Sequence, residues 1–374
     1  MASSFTLSVY PWVYKAQYQE DGSWTQEHVE KPHLSPAEEQ ALPLEERQAL
    51  EAQRNSFAEL PLVNYTTQYG MGCFEGLKAF PQPDGRLKIF RPDQNGRRMN
   101  ASMKGLQMPA YPVDLFVNAN IELVRRNYRI GFYPAYDPSW KETGFMTGKA
   151  VYLRPFSYSE PGIGLNLSRK PWVIIVATEV GSYFDPDSRS KAVTTDKVRA
   201  TTGGTGWIKC DSNYVIPTLE KFKVQEEGYM EAVFLDAKEQ RYIEEGSSCN
   251  IFFYLKSGVL VTPELGDRIL PGVNRKSVIE LAQDLGVTVE ERQITIDEAL
   301  DEGAECFVTG TAAGVAYLES LTHKGRTAVY NNGEIGDLTR QLRDTLKGIQ
   351  YGNIEDRFGW MYEVPVGEPA AAGI

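Results

Sequence analysis

Lys209, Tyr214 and Glu245 are the residues whose types and spacing could do chemistry together. Lys209 lies in the glycine-rich stretch GGTGWIKCDSNY, Tyr214 follows five positions on, and Glu245 is the second of the paired acids in YIEEGSSCN. A lysine amine condenses with an aldehyde to form an imine, a tyrosine hydroxyl can face a phenolic ring oxygen, and a carboxylate can face a ring nitrogen. Those are the three groups by which some proteins hold pyridoxal phosphate. A lysine in a loop is ordinarily a solvated charge, so such a site also needs an anion-binding end and a framework to position it.

Two segments offer that anion-binding end. In LPGVNRKSVIELAQ a Pro-Gly turn runs straight into a helical pattern, leaving the N–H groups of Gly272, Val273 and Asn274 near a helix N-terminus. Such an end carries roughly half a positive charge and unpaired donors suited to a phosphate. In VTGTAAG, a second small-residue turn, Thr311 and its neighbours offer N–H donors and a hydroxyl. Two other glycine-rich stretches do not qualify. GGTGWIK is no Walker loop, because Trp207 and Ile208 separate Gly206 from Lys209, and PGIGLNL lacks the GxGxxG spacing.

Composition narrows the classes of function. The chain has 374 residues, 42% of them hydrophobic, which is enough for two or three domains. Its net charge is −11, from 39 basic and 50 acidic residues, with no basic block. That balance argues against nucleic acid or an anionic membrane as partner. Cys73, Cys210, Cys249 and Cys306 are far apart and form no CxxC pair, so they read as free thiols in a reducing compartment, without a disulfide framework or a metal cluster. No apolar run approaches the ~20 residues of a membrane span. The N-terminus lacks the pattern of a secretion signal and its first arginine is Arg47, so a cytoplasmic location is expected. His28, His33 and His323 are the only histidines, which leaves little material for a histidine base or a Ser-His-Asp triad.

The elements that must position these residues alternate in type. Residues 5–31 read as a strand pair around EDGS, and residues 35–58 as a polar helical segment opened by Ser35-Pro36. LVNYTTQYGMGCFEGLKAF and RLKIF read as strands around PQPDG, followed by helices in RPDQNGRRMNASMKGL and VDLFVNANIELVRRNYRI. KAVYLRPFSYS and PWVIIVATEV are strands, and GSYFDPDSRSKAV reads as a connection between domains. After Lys209 come a helix stopped by Gly228, a strand meander from EAVFLD to VLVTP, a helix over 275–285, and strands in VTVEERQITI and CFVTGT. The mixture predicts a mixed α/β (α+β) fold with an N-terminal domain over 1–180, a connection over 181–193, a second domain over 194–365 and a tail over 366–374.

The runs YGMGCFEGLKAF, IFRPDQNGRRM, YLRPF, GGTGWIKCDSNY, IEEGSSCN, ILPGVNR and TGTAA resemble, in this order, the motifs of branched-chain amino acid aminotransferases. These are pyridoxal phosphate enzymes of fold type IV, with the two-domain fold of D-amino acid aminotransferases. The resemblance spans about residues 60–320, and the RATTGGTG lead-in is similar to the eukaryotic-type branch. It implies a homodimer, with small amino and 2-oxo acids as substrates.

Carried across residue by residue, the resemblance implies that Lys209 bonds the cofactor and shuttles a proton, that Tyr214 faces the phenolic oxygen and that Glu245 faces the pyridine nitrogen, with Glu244 as the alternative on the opposite face of the strand. Arg98 would bind the phosphate while Arg97 faces solvent, and Val273, Asn274 and Thr311 would complete the phosphate cup. Tyr69, Phe74 and Tyr152 would line the pocket for an apolar side chain. Arg154 and the Thr311–Ala312 backbone would bear on the substrate carboxyl groups.

Where the family pattern is Lys-x-Gly-Gly-Asn-Tyr, this chain has Asp211 and Ser212 in place of the two glycines. That substitution restricts the backbone and adds a carboxylate beside the lysine. Asn274 stands where a threonine is usual and is expected to offer a helix-capping side chain. The alternatives are another fold type IV activity, such as a D-amino acid transaminase or an aminodeoxychorismate lyase, or a catalytically idle protein that binds pyridoxal phosphate.

Overall fold

The computed structural model describes residues 7–181 and 190–365. Residues 182–189, inside the expected connection, and the tail 366–374 lie outside the described residues. The described chain divides into two compact units. The first takes the chain to residue 181 and again from Ile349, and the second takes residues 190 to 348.

The first unit is built on strands β1 (Trp12–Gln17) and β2 (Glu27–Glu30), helices α1 (Pro36–Ala41), α2 (Leu44–Arg54) and α3 (Tyr65–Tyr69), strands β3 (Leu77–Pro81) and β4 (Leu87–Phe90), helices α4 (Pro92–Gly105) and α5 (Val113–Arg129), and strands β5 (Ala150–Tyr158) and β6 (Trp172–Val180). With the C-terminal strand Met361–Glu363 at one edge, the sheet runs in the order 361–363, β4, β3, β5, β6, β1, β2, every pair antiparallel. The strand pair expected within 5–31 forms with Tyr14 opposite His28.

The helical segment expected over 35–58 forms as two helices separated at Pro43. Its anchor is Arg54, which is buried, ion-paired with Glu39 and 5.3 Å from the Phe132 ring centre. Residues 65–69 depart from the expected strand. Asn64 accepts a hydrogen bond from Thr67 N at 2.9 Å and Gly70 adopts φ 64°, so a cap and a left-handed stop make one helical turn there despite the β-prone threonines.

Helices α4 and α5 pack closely because Gly96 has no side chain. A Cβ there would lie 3.1 Å from Phe116 Cδ1 and 3.2 Å from Val113 Cγ1. Along α5 the buried Phe116, Ala119, Asn120, Leu123, Val124 and Asn127 follow the helical period expected of an amphipathic helix.

The second unit holds β7 (Lys191–Thr194), α6 (Val215–Glu226), β8 (Glu231–Leu235), β9 (Ile243–Gly246), β10 (Asn250–Leu255), β11 (Val259–Thr262), α7 (Val273–Asp284), β12 (Thr288–Glu291), α8 (Ile296–Glu302), β13 (Gly303–Gly310), β14 (Gly314–Tyr317), β15 (Ser320–His323) and β16 (Arg326–Val329), with α9 (Asp337–Gln350) leading back toward Ile349. One five-stranded sheet runs β12, β11, β10, β13, β14 and the other β16, β15, β7, β8, β9. Most pairs are antiparallel, but β11–β12, β15–β7 and β7–β8 are parallel, which is the mixed α/β character expected. Val233, Leu235, Ile251, Phe253, Val308 and Leu321 draw on both sheets to form one buried core. The elements that carry Glu245 and Asn250 therefore sit on a closed apolar base.

Candidate active site

Lys209 is half-buried, and its Nζ donates a hydrogen bond to the Tyr214 hydroxyl while lying 4.7 Å from the centre of that ring. A 3-10 turn over Asp211–Tyr214 folds the tyrosine back onto the lysine. Asn213 fastens the turn, donating to Thr205 O at 2.6 Å and Ile208 O at 3.0 Å and accepting from Thr205 Oγ1 at 2.7 Å. Neither Asp211 nor Ser212 has a positive φ, so this backbone does not require the glycine pair. Ser212 is exposed, with its hydroxyl 2.9 Å from Cys210 Sγ, and Asp211 is half-buried.

Glu245 is 4% exposed, and its carboxylate is gripped from three segments. Leu270 N and Asn250 Nδ2, the latter at 3.2 Å, donate to Oε1, and the buried guanidinium of Arg199 lies 3.4 Å from Oε2. Burial pushes the Glu245 carboxyl up to about 7, opposed first by Arg199, then by the Leu270 N–H and by Lys209. Glu244 is also buried. Arg268 Nη1 lies 2.9 Å from its Oε1, an ion pair without hydrogen-bond alignment. Burial pushes Glu244 to about 7 as well, opposed by Arg268 and then Arg199. The two acids thus take opposite sides of β9, each with its own arginine. Only Glu245 has the field of Lys209 among the charges that act on it most strongly.

Three segments converge near Glu245. Gly272 is the N-cap of α7, with no side chain closing the end, and Val273 and Asn274 are its first buried residues. The Asn274 side chain does not cap the helix as expected from its type. It sits two residues past the N-cap and donates to Gly310 O at 2.7 Å, tying α7 to the turn that carries Thr311 and Ala312. Asn250 pairs with Thr309 across β10 and β13, and a Cβ at Gly310 would lie 3.6 Å from Ser248 O. Two buried hydroxyls, Ser247 Oγ and Thr309 Oγ1, have no hydrogen-bond partner. An uncapped helix end and two unsatisfied buried hydroxyls fit an oxyanion such as a phosphate ester.

In the first unit Arg98 is buried on α4 and makes a bidentate pair with Glu75, Nε to Oε1 at 2.7 Å and Nη2 to Oε2 at 2.8 Å. Asn95 Nδ2 adds a third bond to Glu75 at 2.8 Å, and Arg97 is exposed. Tyr152 and Arg154 share one face of β5, with Arg154 Nη2 donating to the Tyr152 hydroxyl at 2.9 Å and the guanidinium 4.9 Å from the Phe74 ring centre. A Cβ on Gly76 would overlap the Tyr152 hydroxyl, so that glycine is what admits the ring. Phe74, Tyr152 and Arg154 are one cluster. Tyr69 is 38% exposed and accepts from Gly164 N at 3.1 Å.

Sequence reading missed Arg199, Asn250, Arg268 and Glu75. Glu75 left a signal, since an acid inside an apolar run such as CFEGLKAF calls for a buried cation. Arg199 and Arg268 left none, because each finds its glutamate only through the packing of distant loops. Among the described residues no group of three or more His, Cys, Asp or Glu could hold a metal ion, and no helix is long and apolar enough to cross a membrane.

Residues 72–321 match the family described as amino-transferase class IV. The chain is 39% identical over 307 residues to the branched-chain-amino-acid transaminase 1 of Bacillus subtilis (strain 168), covering 79% of this chain and 82% of that protein. It is also similar to the solved T.th. branched-chain amino acid aminotransferase with pyridoxamine 5'-phosphate, at a TM-score of 0.71 and 26% identity over 95% of this chain and 99% of that one. The same protein complexed with N-(5'-phosphopyridoxyl)-L-glutamate matches at a TM-score of 0.69 and 25% identity, with the same coverage.

Proposed function

The chain belongs to the class IV aminotransferases, and we propose that it moves an amino group between branched-chain L-amino acids (leucine, isoleucine and valine) and 2-oxoglutarate, with pyridoxal 5'-phosphate as cofactor. The observation that carries this reading is the Lys209–Tyr214 pair set beside a buried carboxylate, Glu245, that feels the charge of the lysine. We take the enzyme to be a homodimer, as the resemblance implies, and a cytoplasmic one, as its dispersed free cysteines lead us to expect.

When bound, the cofactor supplies an electrophilic carbon and a ring that accepts electrons as the substrate Cα loses its proton. Lys209 Nζ would move the proton between the substrate Cα and the cofactor's electrophilic carbon, and the Tyr214 hydroxyl holds Nζ in place for both transfers. Glu245, poised at about 7, would hold a proton on the pyridine nitrogen, with Arg199 favouring its ionised form. Val273, Asn274 and Thr311 at the α7 end would bind the phosphate, a role the resemblance also assigns to Arg98, whose guanidinium Glu75 holds within the first unit. Tyr69, Phe74 and Tyr152 would take the apolar side chain, and Arg154 with Thr311–Ala312 the carboxylates of both substrates.

Absorption titration of purified protein with L-leucine, D-leucine and L-glutamate, repeated on Lys209→Ala, tests the reading. The visible band of the bound cofactor should change with both L-amino acids and should be absent in the variant. A response to D-leucine alone, or unchanged turnover in Lys209→Ala, refutes it.

A further inference from the structure

We infer that Asn250 is a positioning residue that locks the carboxylate end of the site to its anion end, an inference that rests on the proposed binding of pyridoxal phosphate. Asn250 opens β10 and is 6% exposed. Its amide nitrogen donates to Glu245 Oε1 at 3.2 Å and to Leu270 O at 2.9 Å. Leu270 N donates to the same glutamate oxygen, so asparagine, glutamate and the 270 backbone close a ring of hydrogen bonds.

The other half of the Asn250 amide reaches the helix. Its Oδ1 fills the space where a side chain on Gly272 would begin, so a Cβ at that position would overlap it. Gly272 has φ −66° and ψ 134°, a conformation open to any residue. The requirement for glycine is therefore set by the close approach of Asn250 rather than by the backbone. Gly272 is the N-cap of α7, and Asn274 in the first turn fastens that helix to Gly310. One side chain thereby places Glu245, the α7 N-terminus and, through Asn274, the turn before Thr311.

The cofactor would carry its ring nitrogen at one end and its phosphate, on a short methylene arm, at the other, so the spacing between Glu245 and α7 sets how well both ends are met at once. Asparagine suits the position chemically. Its nitrogen donates to the acid and to a carbonyl, while its oxygen adds no charge. An aspartate would set a second carboxylate against Glu245.

The test titrates pyridoxal 5'-phosphate and phosphate-free pyridoxal into apo-protein of the wild type, Asn250→Ala, Gly272→Ala and the double variant, reading each Kd from the visible band. Each single variant should bind pyridoxal phosphate about tenfold more weakly, the loss of roughly one buried hydrogen bond. Each should also narrow the preference for pyridoxal phosphate over pyridoxal. Because Asn250→Ala vacates the space, adding Gly272→Ala to it should cost less than about threefold, far from the product of the single effects. Losses that multiply in the double variant, or affinity and preference unchanged in Asn250→Ala, overturn the inference. A residue that only supported the fold would lower the thermal midpoint and leave the preference intact. If Asn250→Ala does not fold, Asn250→Ser against Gly272→Ala poses the same question. A wild type with no visible band would overturn the proposed cofactor instead, and the coupling would then be read from the same cycle in thermal midpoints.

Discussion

Replacing Glu245 by glutamine should abolish a pH dependence of stability that the wild-type apo-protein carries. Burial raises this carboxyl from its ordinary 4.5 to about 7. Between those values the folded protein keeps a proton that the unfolded chain has released. The stabilisation is therefore full below pH 4.5 and disappears as pH rises through 7. From about pH 5 to about pH 8 the loss is roughly 2–3 kcal/mol, from a 2.303RT slope over most of that interval. Glutamine carries no proton to lose, yet offers Oε1 to Leu270 N and Asn250 Nδ2 as the glutamate does. Glu244, also at about 7, drifts in the same direction and remains in both proteins. Burial lowers His28 and His323, which therefore gain stability as pH rises, again in both proteins. The difference between the two proteins reports Glu245 together with its small effect on Glu244. Urea unfolding of the apo-proteins at pH 5, 6, 7 and 8, extrapolated linearly, reads it. The wild type should lose roughly 2–3 kcal/mol relative to Glu245→Gln across that range. Parallel curves, or a wild type that gains on the variant, would refute the assignment of a buried, raised carboxyl.

Three further outcomes are expected. Tyr214→Phe removes the hydroxyl that holds Lys209 Nζ, and turnover should fall about tenfold or more while the cofactor stays bound, measured by single-turnover kinetics against the visible band. Arg154→Gln should raise the KM for 2-oxoglutarate about tenfold more than the KM for leucine, because the dicarboxylate calls most on the guanidinium; equal effects on both would place Arg154 outside carboxylate recognition. Gly206→Ala drives a Cβ into the Arg268 carbonyl and Ala200, so the thermal midpoint should drop by the equivalent of about 1–3 kcal/mol, and Arg199, which donates to Gly206 O and Arg268 O, should weaken its hold on Glu245. An unchanged midpoint would show that the loop yields freely.

Local order along the chain was enough to bring Lys209 and Tyr214 together, since the 3-10 turn over Asp211–Tyr214 folds the tyrosine back onto the lysine without help from remote segments. It was enough, too, for the α7 N-terminus, because Pro-Gly before a helical period is a local signal. It failed at residues 65–69, where a single asparagine cap outweighed β-prone threonines, and at Asn274, whose side chain turned to a distant carbonyl instead of capping its own helix. Alternation along β9 said that Glu244 and Glu245 face opposite ways, but nothing nearby in sequence said that both would be buried or which would feel Lys209. Only the packing of the sheets and loops decided that. It brought Arg199 to Glu245, Arg268 to Glu244 and Asn250 to Gly272, because ion pairs and steric fits between remote segments depend on where whole strands come to rest rather than on the order of residues within them.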